Sequence, residues 1–516
     1  MVLRDFSKMN YLLGIDLGTS SVKIVLVNAE GKIITASSQG YGTYSPHPGW
    51  AEQEPEEWWK ATVRAISRVI NQTHIDLEQI RGIGLSGQTH GAVILDKNLL
   101  PLGKAIIWMD KRSISQVHRL KERMGGRLPR VTGLPVSCGF MAPSLLWIKE
   151  NQPSLWKRIY KVLLPKDYLR LKLTGVAASD VTDAGGTLLL DTAKRKWSRE
   201  VINELTIPYD FFPPLYESSQ ITGQVTGKAA NNISLKKNTP VLAGGADQVM
   251  AAIGNGVVTK GRIASSIGTG ALLTTCIDHP IIKPDRALHT IPHALPGKWI
   301  LMGAILSGGS CLDWFFDQII LEGEISSQSN FGQFLSSKIA STSAASKGLL
   351  FLPYLGGERT PYLDPQARGA FIGLSFQHSQ KDLVRAIMEG VVFALRDCLE
   401  EFKKAGIKPS YVTAGGGGAR SKAWRQIQTD IFNLPVFTGN TEDSSAYGAC
   451  LIGAVGTGIF PTVEEACQEW VKKENETIPN PVEVEVYEKI YQVYHSLYPR
   501  LKEDFHTLSE LEDSPS

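Results

Sequence analysis

Short apolar runs alternate with stretches of helical period along the whole chain. Residues 11–15 and 22–27 are apolar and β-rich, joined by a polar turn over 16–21. A further turn at 28–31 leads to a strand over 32–37, so the chain opens as a β-meander. Residues 55–70 predict a helix, because Trp59, Val63, Ile66 and Ile70 recur at three and four residues and Pro55 suits a first turn. Residues 80–85 predict a strand running into GQTHG at 87–91, with 92–95 apolar again. A second set begins near residue 240. Residues 240–243 predict a short buried strand before GGADQ at 244–248. Strands over 262–267 and 271–277 flank the turn Gly268-Thr269-Gly270. Ser379 and Asp382 form a capping signature before a long helix striped by Leu383, Ile387, Val391, Leu395, Cys398 and Phe402, with Gly406 as its stop. A strand over 411–414 enters GGGGAR at 415–420, and a helix follows over 421–432. The alternation points to α/β layers. IDLGTSSVKIVLV (15–27) resembles SSIGTGALLTTCI (265–277), both reading strand, Gly-Thr turn, strand. Two such halves, expected over 10–256 and 257–500, would face two glycine turns across a cleft.

Composition narrows this picture. A chain of 516 residues is too long for one ordinary domain and needs no disulfide or structural metal to bury a core. Lys plus Arg is 54 against 51 for Asp plus Glu, a net +3. That excludes the basic excess of a dedicated nucleic-acid binder and the acidity of a solvating tail. No window approaches 18 uninterrupted apolar residues, so no membrane span is expected. MVLRDFSKMN at the start lacks the apolar core of a signal peptide. Met9 is a second candidate start, which would make the leader an extension, and SELEDSPS at 509–516 reads as a frayed tail. Cys138, Cys276, Cys311, Cys398, Cys450 and Cys467 show neither CxxC pairs nor zinc spacing, so they are expected as buried free thiols in a reducing cytoplasm. Glycine is 49 of 516, or 9.5%, above the usual ~7%.

The positions of those glycines direct attention to chemistry. Gly18, Thr19, Ser20 and Ser21 offer hydroxyls and backbone N–H groups in a tight turn, the makings of an anion nest or simply a hairpin turn. Gly268, Thr269 and Gly270 repeat that chemistry. Gly415, Gly416, Gly417 and Gly418 are costly in entropy, which favours close approach of backbone to a flat or charged ligand. No GxxxxGK[ST] loop or complete dinucleotide fingerprint occurs. Asp16, beside the first turn, can hold Mg²⁺ with phosphate oxygens or cap its own turn. Asp247 follows a buried strand, where α/β sites gather, and can accept a hydroxyl proton during phosphoryl transfer. Asp110 is a weaker candidate. His90 lies among small polar residues and suits a polyhydroxy ligand, or is structural. Ser86 sits in GLSGQ, which is not GxSxG, so no hydrolase elbow is expected.

These residues resemble the FGGY carbohydrate kinases, within the sugar kinase, Hsp70 and actin superfamily. GIDLGTSSVK (14–23) is similar to the family's first phosphate motif, and GAFIGLSFQHSQKDLVRAIME (369–389) to its C-terminal signature. Within the family the likeness is to the xylulokinases, in HPGWAEQEPEEWW (47–59), SGQTHG (86–91), LLPKDYLRLKLTG (163–175), SDVTDAGGTLLLD (179–191), SCLDW (310–314) and FLPYLGGERTPYLDP (351–365). The resemblance implies two actin-like ATPase (ribonuclease H-like) α/β domains, with ATP and sugar meeting in the cleft between them. It implies Asp247 as general base on a terminal sugar hydroxyl and Asp16 as the organiser of Mg²⁺. Gly18, Thr19, Ser20, Gly268, Thr269 and Gly270 would hold the phosphates, and Gly415 to Gly418 would face the adenosine. Thr89, His90, Trp108, Asp247 and Gln248 would line the sugar pocket. The implied reaction is phosphorylation of D-xylulose at O5, with another ketopentose or polyol, or a non-catalytic ATP-binding sensor, as alternatives. Nucleic acid and membrane partners are not expected; a homodimer is compatible with the resemblance. The aromatic region 475–498 can pack on a partner or on the body. Three positions depart from the pattern. Thr89 stands where xylulokinases carry Met, Gln248 where they carry Asn, and Ser144 where the N-terminal signature has Lys. The first two bear on which sugar is taken and leave the phosphoryl chemistry untouched.

Overall fold

A computed structural model describes residues 10–319, 339 and 342–512, so the question of a start at Met9 lies outside the described residues. In the first half the elements are β1 (Tyr11–Leu17), β2 (Ser21–Asn28), β3 (Ile33–Gly40), α1 (Pro55–Thr73), β4 (Ile80–Gly87), α2 (Pro165–Thr174) and α3 (Val181–Ala184). They continue with β5 (Ile221–Gln224), β6 (Pro240–Leu242), β7 (Gly245–Ala246) and α4 (Asp247–Gly254). The second half supplies β8 (Arg262–Ile267), β9 (Ala271–Ile277), β10 (His289–Pro292), β11 (Trp299–Ile305) and α5 (Gln380–Lys404). It ends with β12 (Tyr411–Gly415), α6 (Lys422–Phe432), β13 (Val436–Gly439), α7 (Ser444–Gly456), β14 (Lys473–Thr477) and α8 (Pro481–Glu512).

Two seven-stranded sheets result. The first runs β5-β6-β4-β1-β2-β3 with β7 paired to β4; the second runs β10-β11-β9-β8-β12-β13-β14. β1 is antiparallel to β2 and parallel to β4, and β8 is antiparallel to β9 and parallel to β12. The two Gly-Thr hairpins therefore occupy equivalent places in equivalent sheets. β1 is apolar along nearly its whole length because layers cover both its faces. It also continues through Leu17, so the expected turn over 16–21 shrinks to three residues and Asp16 lies within the strand, paired with Lys23.

Glycines let α7, from the second half of the chain, seat against the first sheet. A Cβ on Gly14 would lie 2.1 Å from Ala446 O, and one on Gly84 would lie 1.9 Å from Ala449 O. Gly448 makes the same room for α4, where a Cβ would meet Met250 O at 1.9 Å. α5 begins with the expected Ser379/Asp382 capping box. α1 forms as expected, but its buried side is turned from the predicted stripe: Trp58, Ala65 and Val69 are buried with Trp59 and Ile66, while Val63 and Ile70 are only partly buried.

At the C-terminus the structure selects one alternative and changes one expectation. Residues 475–498 pack on the body: Tyr487, Tyr491, Tyr494 and Tyr498 of α8 are buried in the second core. The tail read as frayed from 509 is helical through Glu512, with Ser509 buried and accepting a 2.7 Å bond from Arg368 Nη2; residues 513–516 lie outside the described residues. The polar composition hid this, because one hydrogen bond satisfies the buried serine. All six cysteines are free, and five are buried. Among the described residues, no helix is long and apolar enough to cross a membrane.

Candidate active site

The carboxyl-end edge of the first sheet gathers most of the expected residues. Asp16, Ser86 and Gly245 form one row across β1, β4 and β7. Ser86 Oγ donates to Asp16 Oδ1 at 2.7 Å. Asp247 opens α4 directly after β7, and its Oδ1 accepts the Gln248 N–H at 2.7 Å. Burial pushes the Asp247 carboxyl up to about 7, the Asp16 charge adds to the rise, and the Gln248 N–H opposes it. Burial also raises Asp16, against the Ser86 hydrogen bond and Lys23. Two half-buried acids thus lie within electrostatic reach of each other at a sheet edge, one of them titrating near neutrality.

A buried ionic network sets the backbone under Asp247. Ala246 N donates to Thr182 Oγ1 at 2.9 Å, and Thr182 Oγ1 donates to Asp180 Oδ1 at 2.5 Å. Arg170 reaches the carbonyl of Ala243 and also Asp167. Lys166 Nζ lies 2.6 Å from Asp167 and Asp180 and 3.2 Å from Asp183, with every one of these side chains fully buried. The three aspartates have the mutual spacing of a metal-ligand set, but the Lys166 ammonium already supplies their cation. Sequence reasoning registered these residues only as part of a likeness. The available signal was three acids and two bases in otherwise apolar segments, which must pair if buried.

β4 leads into Thr89 and His90. His90 has φ 73°, a conformation rare outside glycine and often held at functional sites. Its Nδ1 lies 2.5 Å from Gly186 O, so Nδ1 carries the proton and Nε2 is left as an acceptor. Burial holds the imidazole neutral, with its pKa lowered to about 4. Trp108, 40% exposed, donates from Nε1 to Thr19 Oγ1 at 2.9 Å. Gln248 is partly buried beside Asp247. Asp110 stands apart from this group. It accepts the Ala51 N–H at 2.6 Å and pairs with Arg112 at 2.8 Å, which serves the loop below Trp108.

The two Gly-Thr turns are internally braced. Gly18 N donates to Ser21 O at 3.0 Å and Gly268 N to Gly270 O at 2.9 Å, so those amides are already committed. Gly308 N and Ser310 Oγ both bond Thr269 O, at 2.8 Å each. A separate cavity of about 740 Å³ is lined by Gly415, Gly416 and Gly417, with Lys23 and Asp443 among its other walls. Gly416 has φ 72°, and a Cβ there would lie 2.6 Å from Ile267 O. Gly418 packs on the Ile267 side chain instead of lining the cavity. Gly415 and Gly417 have no neighbour closer than 3.8 Å to a Cβ, so their open side is the cavity. Lys23 joins the wall by pairing with Asp443 at 2.9 Å from the other half of the chain.

Comparison with known proteins gives the family and the fold. The profile of the N-terminal domain of the FGGY family of carbohydrate kinases matches residues 11–254, and that of its C-terminal domain matches 263–457. The chain is 38% identical to a xylulose kinase of Lactococcus lactis over 98% of this chain and 100% of that one. It superposes on the crystal structure of a xyloylose kinase from Brucella ovis with a TM-score of 0.89 at 36% identity, covering 96% of this chain and 99% of that one. A gluconate kinase from Lactobacillus acidophilus superposes with a TM-score of 0.90 at 27% identity, covering 97% and 100%.

Proposed function

The chain belongs to the FGGY family of carbohydrate kinases, and from that premise we propose that it transfers a phosphoryl group from ATP to the terminal hydroxyl of D-xylulose, giving D-xylulose 5-phosphate. The single observation that carries the chemistry is Asp247, which opens α4 directly after the row of Asp16, Ser86 and Gly245 with its carboxyl held near neutrality. A base with a pKa near the working pH is the one that best couples proton removal to transfer. Asp247 accepts the hydroxyl proton as the new O–P bond forms and ADP leaves. Thr19, Ser20, Thr269 and Gly270 offer backbone N–H groups to the phosphate oxygens, because the amides of Gly18 and Gly268 close their own turns. Gly415, Gly416 and Gly417 admit the nucleotide to the cavity.

Asp16 fits a hard divalent cation. It is a desolvated carboxylate with one oxygen held by Ser86, close to a second acid whose charge it repels. Mg²⁺ bound there would neutralise charge on the transferring phosphates. Thr89, His90, Trp108 and Gln248 line the sugar side. Thr89 in place of an apolar side chain adds a hydroxyl to that wall.

The test is ADP release by the purified chain against D-xylulose, D-ribulose, glycerol and gluconate. D-Xylulose should give the highest kcat/KM; turnover no greater than the no-sugar control would overturn the substrate assignment. Asp247→Ala should lower kcat by about 10²–10⁴-fold while ATP still binds. Turnover retained in that variant would remove Asp247 as base.

A further inference from the structure

The sugar side of the cleft is walled partly by the second half of the chain. β10 docks on the first half, with Thr290 N donating to Gly133 O at 2.8 Å. A Cβ on Gly185 would lie 2.7 Å from Pro292 Cδ, and the next carbonyl, Gly186 O, is the one that holds His90. His90 and β10 therefore meet over one loop. Arg359 is carried into the same place. Its neighbour Thr360 donates from Oγ1 to Ala287 O at 2.9 Å, just before β10, and from N to Ala304 O at 3.0 Å.

Arg359, half-buried, differs from the deeply buried cations. Lys166, Arg170, Arg112 and Arg385 are each paired with carboxylates. The Arg359 guanidinium makes no hydrogen bond or ion pair among the described residues, although its backbone N–H donates to Glu358 Oε1 at 2.5 Å. Burial pushes Glu358 up to about 8, so near neutral pH it leaves the guanidinium uncompensated. The positive charge of Arg359 is felt at both His90 and His289, which lowers both imidazoles further. His289, 3% exposed on β10, has neither ring nitrogen partnered. The half-buried guanidinium has no protein partner among the described residues, and its nitrogens remain open on the side where its charge reaches His90, so they are free to donate to a ligand oxygen.

We infer that Arg359 is a substrate-binding residue supplied across the cleft, and that with His90 it reads the end of the sugar remote from Asp247 and selects a hydroxy-ketone. This rests on the reading that Asp247 takes the terminal hydroxyl. His90 Nε2 only accepts, so it suits the hydroxyl proton at C1; the guanidinium only donates, so it suits the ketone oxygen at C2. The matching polyol places a hydroxyl at C2 whose proton finds no acceptor there, a mismatch that buried sites penalise strongly.

The experiment measures kcat/KM of the full chain, Arg359→Gln and Arg359→Lys on D-xylulose and D-ribulose against xylitol and ribitol. Thermal unfolding and KM for ATP serve as controls of folding. Arg359→Gln should lose about 10–100-fold on the ketoses, mainly through KM, and little on the polyols, so the ketose-to-polyol ratio collapses. Arg359→Lys, which keeps the charge but not the fork, should fall between. A wild-type ratio in the folded variants overturns the Arg359 assignment and leaves the xylulose reading intact; if Arg359→Gln fails to fold, Arg359→Lys decides alone. Wild type preferring ribulose, with a ratio that still collapses, overturns the xylulose reading and keeps Arg359. Wild type preferring polyols, or acting on no ketose, overturns both.

Discussion

Asp247 is asked to be ionised for chemistry in a place that resists ionisation. Its carboxyl titrates at about 7, raised by burial and then by Asp16. In the free protein, kcat/KM should therefore fall about tenfold per pH unit below 7. A pH profile flat down to pH 5 would contradict the assignment. The same shift has a stability sign. The folded pKa lies above the unfolded value of 3.8, so the folded state binds more protons between the two and stability declines as pH rises through that window. Asp247→Asn removes that penalty: its melting temperature should exceed wild type by a few degrees at pH 8, the gain shrinking toward pH 4. Asp16 and Asp247 were legible in the sequence because each lies near a strand's carboxyl end with a glycine close by. Lys23 was not, since its partner Asp443 lies 420 residues away and strand alternation says nothing about what the other half of the chain brings. The setting of Arg359 was hidden for the same reason, since its charge reaches His90 and His289 from a distant part of the chain.

Elements meet here through glycines that do two different jobs, and substitution separates them. Gly84→Ala drives a Cβ to 1.9 Å from Ala449 O, backbone to backbone, so α7 must leave β4. A large loss of stability follows, several kcal/mol as for other overpacked or disrupted cores, readable as a lowered urea midpoint. Gly417→Ala meets nothing nearer than 3.9 Å and has ordinary φ, so the urea midpoint should stay near wild type while KM for ATP rises. If ATP affinity is unchanged, the cavity beside Gly417 is not the nucleotide site. The hairpins, the α5 cap and the glycine turns were readable because their signals are local. The approach of α7 to β1 and β4 was not: Gly14 and Gly84 read as glycines in strands, and only the packed helix explains them. The α8 tyrosines, at spacings of four, three and four, announced an apolar face without saying what covers it.

At the scale of the whole molecule, two halves with matching sheets raise the question of whether they unfold separately. Their seam argues against it. α7 belongs by sequence to the second half and by contact to the first sheet and α4. One apolar cluster takes in Leu12 and Val25 from the first sheet, Ile300 and Met302 from the second, and Ala446 to Ala454 from α7. Polar bonds tie the same seam: Trp299 Nε1 donates to Thr192 O at 2.9 Å, and Arg195 Nη1 to Lys298 O at 2.9 Å. A half released from this seam would expose a large part of its own core, so partial unfolding is costly. Calorimetry should therefore give one endotherm whose van't Hoff and calorimetric enthalpies agree, moving as a unit when a non-hydrolysable ATP analogue is added. Two resolved endotherms, with only one shifted by nucleotide, would mean that each half carries its own stability and that α7 is a tether between them. A single endotherm would place closure of the cleft in small movements about α4 and α7, since a hinge there leaves the shared cluster packed while the cavity beside Gly417 and the edge carrying Asp247 approach each other.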